Sequence, residues 1–180
     1  VDLVLWRDQQ RPEIEALVRR LRPRLVGQRV VELDVHRPLV LRNLLDTEDL
    51  PGALIDRPVM ALERRGKYLL IELDGIWLVT NFMLAGNLTW PQPGEPLKSR
   101  DYYSLRFSNG IIMRYNDPRS MGKTYVAASL DAVPGMRDMA PDALAPELTC
   151  ACFLERIKGY PGEIKGVLTH ERVVSGIGNA

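Results

Sequence analysis

Cysteine, histidine, tryptophan and phenylalanine are scarce in this sequence: two Cys, two His, three Trp and three Phe among 180 residues. The cysteines, Cys150 and Cys152, stand in a Cys-x-Cys spacing that suits a disulfide poorly and has no second metal-ligand pair, so neither a disulfide framework nor a zinc site is expected. With no signal-peptide pattern and no acid-poor transit segment, the expected compartment is the reducing cytoplasm. No apolar run approaches the roughly 18 residues of a membrane span, which excludes a helical membrane anchor as an expectation. An excess of one charge is missing too. Lys and Arg number 24 against 23 Asp and Glu, a formal net charge of +1 that by itself announces no nucleic-acid partner.

What is present is a globular composition, 46% hydrophobic and 26% charged, long enough for one ordinary core or for one domain and part of another. The cations are unevenly spread: Arg19, Arg20, Arg22, Arg24 and Arg29 fall close together, and Arg64, Arg65, Lys67, Arg114, Arg119 and Lys123 flank expected strands. Solvated surface charge is the plain reading of such clusters. His36 and His170 read as ordinary surface or cap residues.

Arg64 to Gly86 organises the rest. Leu69 to Leu73 and Ile76 to Val79 are apolar almost without alternation, so this hairpin is expected to be covered on both faces. Asp74-Gly75 between them suits a two-residue type I′ turn. Arg64, Arg65 and Lys67 at one end, and Asn81, Ala85, Gly86 and Asn87 past the second strand, are expected to converge at one edge. Upstream, Ile14, Leu17, Val18, Leu21 and Leu25 recur at helical spacing from Pro12 onward, and Pro23 is expected to kink or end that helix. Val30 to Val35 and Val59 to Glu63 read as strands, with a short helix after Asp46. Asn109-Gly110 marks a second hairpin between Tyr102–Phe107 and Ile111–Tyr115.

Short strands with tight turns favour an antiparallel β-sandwich over a parallel sheet. The expected class is α+β: residues 1–128 form the sandwich with a packed N-terminal helix, and residues 129–180 form a proline-broken linker and short helices near Cys152–Lys158 and Glu163–Thr169.

Four local patterns bear on chemistry: Pro12-Glu13-Ile14-Glu15, Arg64-Arg65-Gly66-Lys67-Tyr68, Asn116-Asp117-Pro118-Arg119-Ser120-Met121-Gly122 and Ser175-Gly176-Ile177-Gly178-Asn179. In this order and spacing, from about Pro12 to the end, they resemble the formamidopyrimidine-DNA glycosylase and endonuclease VIII family of base-excision repair enzymes. The resemblance implies that residues 129–180 open a helix-two-turn-helix, and that the partner is double-stranded DNA holding a damaged base or abasic site. It also implies that Lys67 and Asn179 bind phosphates around the lesion, that Arg119 enters the space left by the extruded nucleotide, and that Leu84 and Met121 fill the rest of it. Asn81 stands where the family commonly has a phosphate-contacting His, Lys165 is a further phosphate contact, and Glu13 supports the chemistry near the sugar. Plainer readings stay open: Lys67 as a solvated strand end, Arg119 as a turn residue paired with Asp117, Leu84 and Met121 as core, Asn179 as a cap.

The family's nucleophile is an N-terminal proline followed by Glu. Counting back from Pro12-Glu13-Ile14-Glu15 places Gln9 and Gln10 at those positions. A Gln9 nitrogen within a peptide bond is no amine, and a Gln10 amide does not titrate as a carboxylic acid does. The family's structural zinc finger would begin beyond Ala180, so no cofactor is expected in this chain. A monomer is expected. Two readings result: a base-excision repair protein of glycosylase and abasic-site lyase type whose dyad is replaced, or a non-catalytic damaged-DNA-binding module of the same fold. A structural interaction domain is the more distant third.

Overall fold

The computed structural model describes residues 14–143 and 145–177. Pro12, and with it the expected helix start, lies outside the described residues. The helix itself is α1, Ile14–Leu25, whose buried stripe is Leu17, Val18, Leu21 and Leu25. Pro23 neither ends nor breaks it at that point. So close to the C-terminus a proline removes at most one intrahelical bond, and the fully buried Leu25 holds the last turn against the core. Arg22 adds an anchor by donating to the Leu62 carbonyl at 2.8 and 3.1 Å.

Nine strands follow in two sheets: β1 (Val30–Val35), β2 (Leu41–Asn43), β3 (Ala61–Arg65), β4 (Tyr68–Leu73), β5 (Ile76–Asn81), β6 (Asn87–Thr89), β7 (Asp101–Phe107), β8 (Ile112–Asn116) and β9 (Lys123–Ala127). One sheet has the order β1-β7-β8-β6 and the other β2-β9-β5-β4-β3. The expected α+β fold with an antiparallel sandwich is what forms: all strand pairs are antiparallel except the edge pair β2 with β9, which is parallel. The reason is the path between the two sheets. A single 3-10 turn at Pro38–Val40 carries the chain from β1 of one sheet to the edge of the other, too short a path to reverse its direction against β9. The short helix α2, Leu50–Leu54, is capped by Asp49, whose carboxylate accepts from the Gly52 N–H at 2.9 Å.

The hairpin β4–β5 is covered on both faces, and its alternation shows how. Leu69, Ile71, Leu73, Ile76 and Leu78 face the main core with α1 and the four-stranded sheet, while Tyr68, Leu70 and Val79 face a second cluster with Val133, Met136 and Met139. The segment after β9 is irregular, as its prolines suggest, but it forms a third layer over the outer face of the five-stranded sheet. Each such fully buried side chain is worth about 1.5–3 kcal/mol relative to its exposed state. Asp74 (φ 41) and Gly75 (φ 83) both take positive φ, the type I′ signature. The second hairpin differs. Of its Asn-Gly pair only Gly110 has positive φ, and Gly110 N–H and Phe107 N–H bond the Phe107 and Ile111 carbonyls respectively. Ser108 therefore joins a three-residue loop with glycine at the left-handed position. Helices α3 (Cys150–Ile157) and α4 (Ile164–Leu168) follow, and the described chain runs on to Ile177. Among the described residues no helix is long and apolar enough to cross a membrane.

Candidate nucleic-acid interface

One end of the sandwich collects the singled-out residues. Across the five-stranded sheet, Arg65, Tyr68, Asn81 and Lys123 share a register row on β3, β4, β5 and β9. On the other sheet Asp101, Asn116 and Asn87 share the row at the same end. Both loops that cross between the sheets here, residues 82–86 from β5 to β6 and residues 117–122 from β8 to β9, lie over this end.

The turn from β3 to β4 is Gly66-Lys67, between the paired residues Arg65 and Tyr68. Gly66 alone takes positive φ (57°), as the first central position of a type II′ turn requires, so Lys67 sits at a hairpin tip. The signal was there: a Gly-x pair between Arg-Arg and Tyr-Leu-Leu. The Lys67 ammonium pairs with Glu171 at 2.8 Å, both side chains being partly exposed. Burial raises the Tyr68 phenol above its ordinary value, against the pull of Lys67 beside it. It stays a neutral hydroxyl.

Asn81, at the position the resemblance gives to a phosphate contact, is largely buried. It is 8% exposed, and its amide oxygen accepts from the Met83 N–H at 3.0 Å. The bond shapes the loop beyond it. There Met83 takes φ 49°, and Met83 and Leu84 are 44% and 47% exposed. In the facing loop the Asp117 carboxylate, fully buried, accepts from the Arg119 N–H at 3.0 Å and the Gly122 N–H at 2.7 Å. Asp117 thus meets Arg119 through the main chain. The guanidinium is left exposed with no bonded partner among the described residues. Ser120 takes φ 57° and its hydroxyl accepts from Tyr102 and Arg100. Met121 is 40% exposed. A non-glycine residue in this backbone region costs on the order of 1–3 kcal/mol. Each of the two loops carries one, directly beside an exposed apolar side chain.

Beneath the loops lies a buried ion pair. Asp101 and Arg114 meet at 3.3 Å, and Asp101 also accepts from Asn116 Nδ2 and the Lys98 N–H, both at 2.8 Å. Arg114 donates to the Pro96 and Glu95 carbonyls and to Ser104 Oγ. The start of the Asn116–Gly122 loop is therefore fixed from below.

Arg64 joins the remaining parts. Its guanidinium reaches Glu15 on α1 at 3.4 Å, Asp142 at 2.8 Å and the Gly66 carbonyl at 3.1 Å. Ser175 exchanges main-chain bonds with Pro141 and Ala143, so Ser175-Gly176-Ile177 is drawn against the β3–β4 tip. Gly176 (φ 86) packs so close that a Cβ there would lie 2.5 Å from Asp142 Oδ2. Lys165 is exposed on α4. Gln9, Gln10, Glu13 and Asn179 lie outside the described residues. Among the described residues no group of three His, Cys, Asp or Glu could hold a metal, so these residues do not fit a zinc site.

Comparison with known proteins agrees with this geometry. Residues 10–124 match the model of the formamidopyrimidine-DNA glycosylase N-terminal domain. The formamidopyrimidine-DNA glycosylase of Moorella thermoacetica is 33% identical over 171 residues, covering 93% of this chain and 62% of that protein. That of Yersinia enterocolitica is 34% identical over 168 residues, covering 93% and 61%. The chain thus spans less than two thirds of the length of these relatives. Among solved structures, the Lactococcus lactis Fpg protein in complex with Fapy-dG-containing DNA superimposes with a TM-score of 0.80 at 25% identity, over 93% of this chain and 63% of that one. From the family match over most of its length, the chain belongs to the formamidopyrimidine-DNA glycosylase and endonuclease VIII family.

Proposed function

We propose that this chain recognises double-stranded DNA containing a damaged base or an abasic site, as part of base-excision repair. The observation that supports it best is the pair of strained loops at one end of the sandwich, which present exposed Leu84 and Met121 and an Arg119 guanidinium with no bonded partner among the described residues. Apolar wedges and a guanidinium suit a vacated base stack, where they replace lost stacking and pair with the orphaned base. Lys67 serves as a point charge for a phosphate beside the lesion, and Asn179 and Lys165 as further phosphate contacts. Asn81 acts through Met83: its buried amide sets the loop that presents Leu84.

Chemistry of the family's kind would need an amine nucleophile and a carboxylic acid, which the sequence does not supply at Gln9 and Gln10. By the resemblance, Glu13 of the Pro-Glu-Ile-Glu motif supports the chemistry near the sugar. The reading is recognition without the dyad. Lys67 is engaged in an ion pair with Glu171 at 2.8 Å, which argues against it as a substitute nucleophile.

Two substitutions test this. Arg119→Ala should weaken binding to an abasic-site duplex by about tenfold or more while leaving the intact duplex nearly unchanged. Equal losses on both duplexes would remove the void-filling role. Lys67→Ala should weaken both alike and lower the slope of log affinity against log salt by about one. Because Glu171 competes with phosphate for Lys67, Glu171→Gln should strengthen binding to both duplexes modestly.

A further inference from the structure

Tyr115 lies under both loops, and nothing in the recognition reading uses it. Its ring is fully buried, stacked on Tyr103 at 5.4 Å with an interplanar angle of 2° and on Phe82 at 6.1 Å. Tyr103 in turn bonds Thr124 across the sandwich at 3.0 Å, so the ring below Tyr115 is itself fixed. The Tyr115 hydroxyl has no hydrogen-bond partner among the described residues, and burial pushes the phenol far above its ordinary value, which keeps it protonated. That hydroxyl ends between two glycines. A Cβ built on Gly122 would lie 1.8 Å from it, and one on Gly86 would lie 2.3 Å from it. Neither glycine has the positive φ that would explain the absence of a side chain; close approach to Tyr115 accounts for glycine at 122, and at 86 it acts together with the Phe82 carbonyl.

We infer that Tyr115 is a positioning residue that couples the two loops: its hydroxyl is the shared stop against which Gly86 and Gly122 both rest, so that Leu84 and the Arg119–Met121 tip move as one unit. This rests on the proposed damage-recognition role for its functional meaning, but the coupling itself does not need DNA. The two glycines differ in a way that makes the idea sharp. Beyond the hydroxyl, a Cβ on Gly122 meets nothing closer than 3.1 Å, at the Asn81 carbonyl and Asp117 Oδ2. A Cβ on Gly86 also meets the Phe82 carbonyl at 2.6 Å, a main-chain atom that cannot step aside.

The experiment follows amide hydrogen exchange without DNA, and affinity for abasic-site and intact duplexes, in Gly122→Ala, Gly86→Ala, Tyr115→Phe and the two doubles. In Gly122→Ala, exchange at Leu84 and Ala85, on the other loop, should rise by about tenfold, the local opening expected when a rigid contact is overpacked. Preference for the abasic duplex should fall by a similar factor, with the intact duplex within about twofold. Adding Tyr115→Phe should restore both in Gly122→Ala but not in Gly86→Ala. Faster exchange confined to residues 119–122, or no rescue by Tyr115→Phe, would overturn the coupling. If Gly122→Ala does not fold, recovery of folding in its double with Tyr115→Phe supports the coupling and continued failure overturns it. A native chain with no preference for the abasic duplex would refute the recognition role alone, since the exchange data still decide the coupling.

Discussion

Replacing Asp101 by alanine is expected to lower folding stability by about 3–5 kcal/mol, because it strands a buried guanidinium. Arg114 is nearly out of solvent and, among the described residues, has Asp101 as its one anionic partner. With the carboxylate gone, the remaining carbonyl and hydroxyl acceptors satisfy hydrogen bonds but not charge. Asn116 Nδ2 and the Lys98 N–H lose their acceptor in the same step. Urea unfolding should show a lower midpoint with an unchanged slope. Asp101→Ala combined with Arg114→Met should recover most of the loss, since an apolar pair of similar volume is often neutral where a broken ion pair is not. A loss below about 1 kcal/mol in the single variant, the range of an exposed ion pair, would mean that water reaches Arg114 and that the loop above is not anchored as described.

The second large effect concerns chemistry. Borohydride should trap no covalent adduct between the chain as it stands and an abasic-site duplex. Schiff-base formation requires a free amine of accessible pKa at the sugar, and an α-amino group at roughly 7.7–8 meets that requirement whereas a peptide nitrogen does not. A chain that begins at position 9 and carries Gln9→Pro and Gln10→Glu supplies both the secondary amine and the acid, and it should trap strongly. Loss of a covalent nucleophile can reduce rates by on the order of 10⁶. The contrast between the two chains should therefore be close to all or none. A strong adduct from the unchanged chain would show that the nucleophile lies elsewhere.

Much of this architecture is legible in the residues themselves. The β4–β5 hairpin could be read because its two strands are apolar on both faces and Asp74-Gly75 permits few turns, and both features reappear in the two clusters and the two positive φ values. Elements decided by long-range geometry could not be read. The parallel β2–β9 pair depends on where a 3-10 turn delivers the chain, and the burial of Val133, Met136 and Met139 against β4 and β5 leaves no local periodicity in an irregular segment. The Gly66-Lys67 turn is legible as a Gly-x pair between two strand patterns, and its tight two-residue form depends on the pairing of Arg65 with Tyr68. At the site, types and neighbourhood were readable while orientation was not. Lys67, Leu84, Arg119 and Met121 do gather at one end, but Asn81 turns inward to Met83 and Asp117 faces main-chain N–H groups instead of a guanidinium. Tyr115 gave no sign at all, since an aromatic residue in a strand reads as core; the glycines at 86 and 122 were its trace.

The central claim is that this end of the sandwich reads a gap in duplex DNA. The most direct measurement is the affinity of the native chain for two duplexes of identical sequence, one intact and one with a single stable abasic site, across a range of salt. The account predicts tighter binding to the abasic duplex by about tenfold or more at every salt concentration, with parallel salt slopes, because the phosphate contacts are shared and only the loop insertion differs. Equal affinities, or a preference that disappears as salt rises, would contradict it.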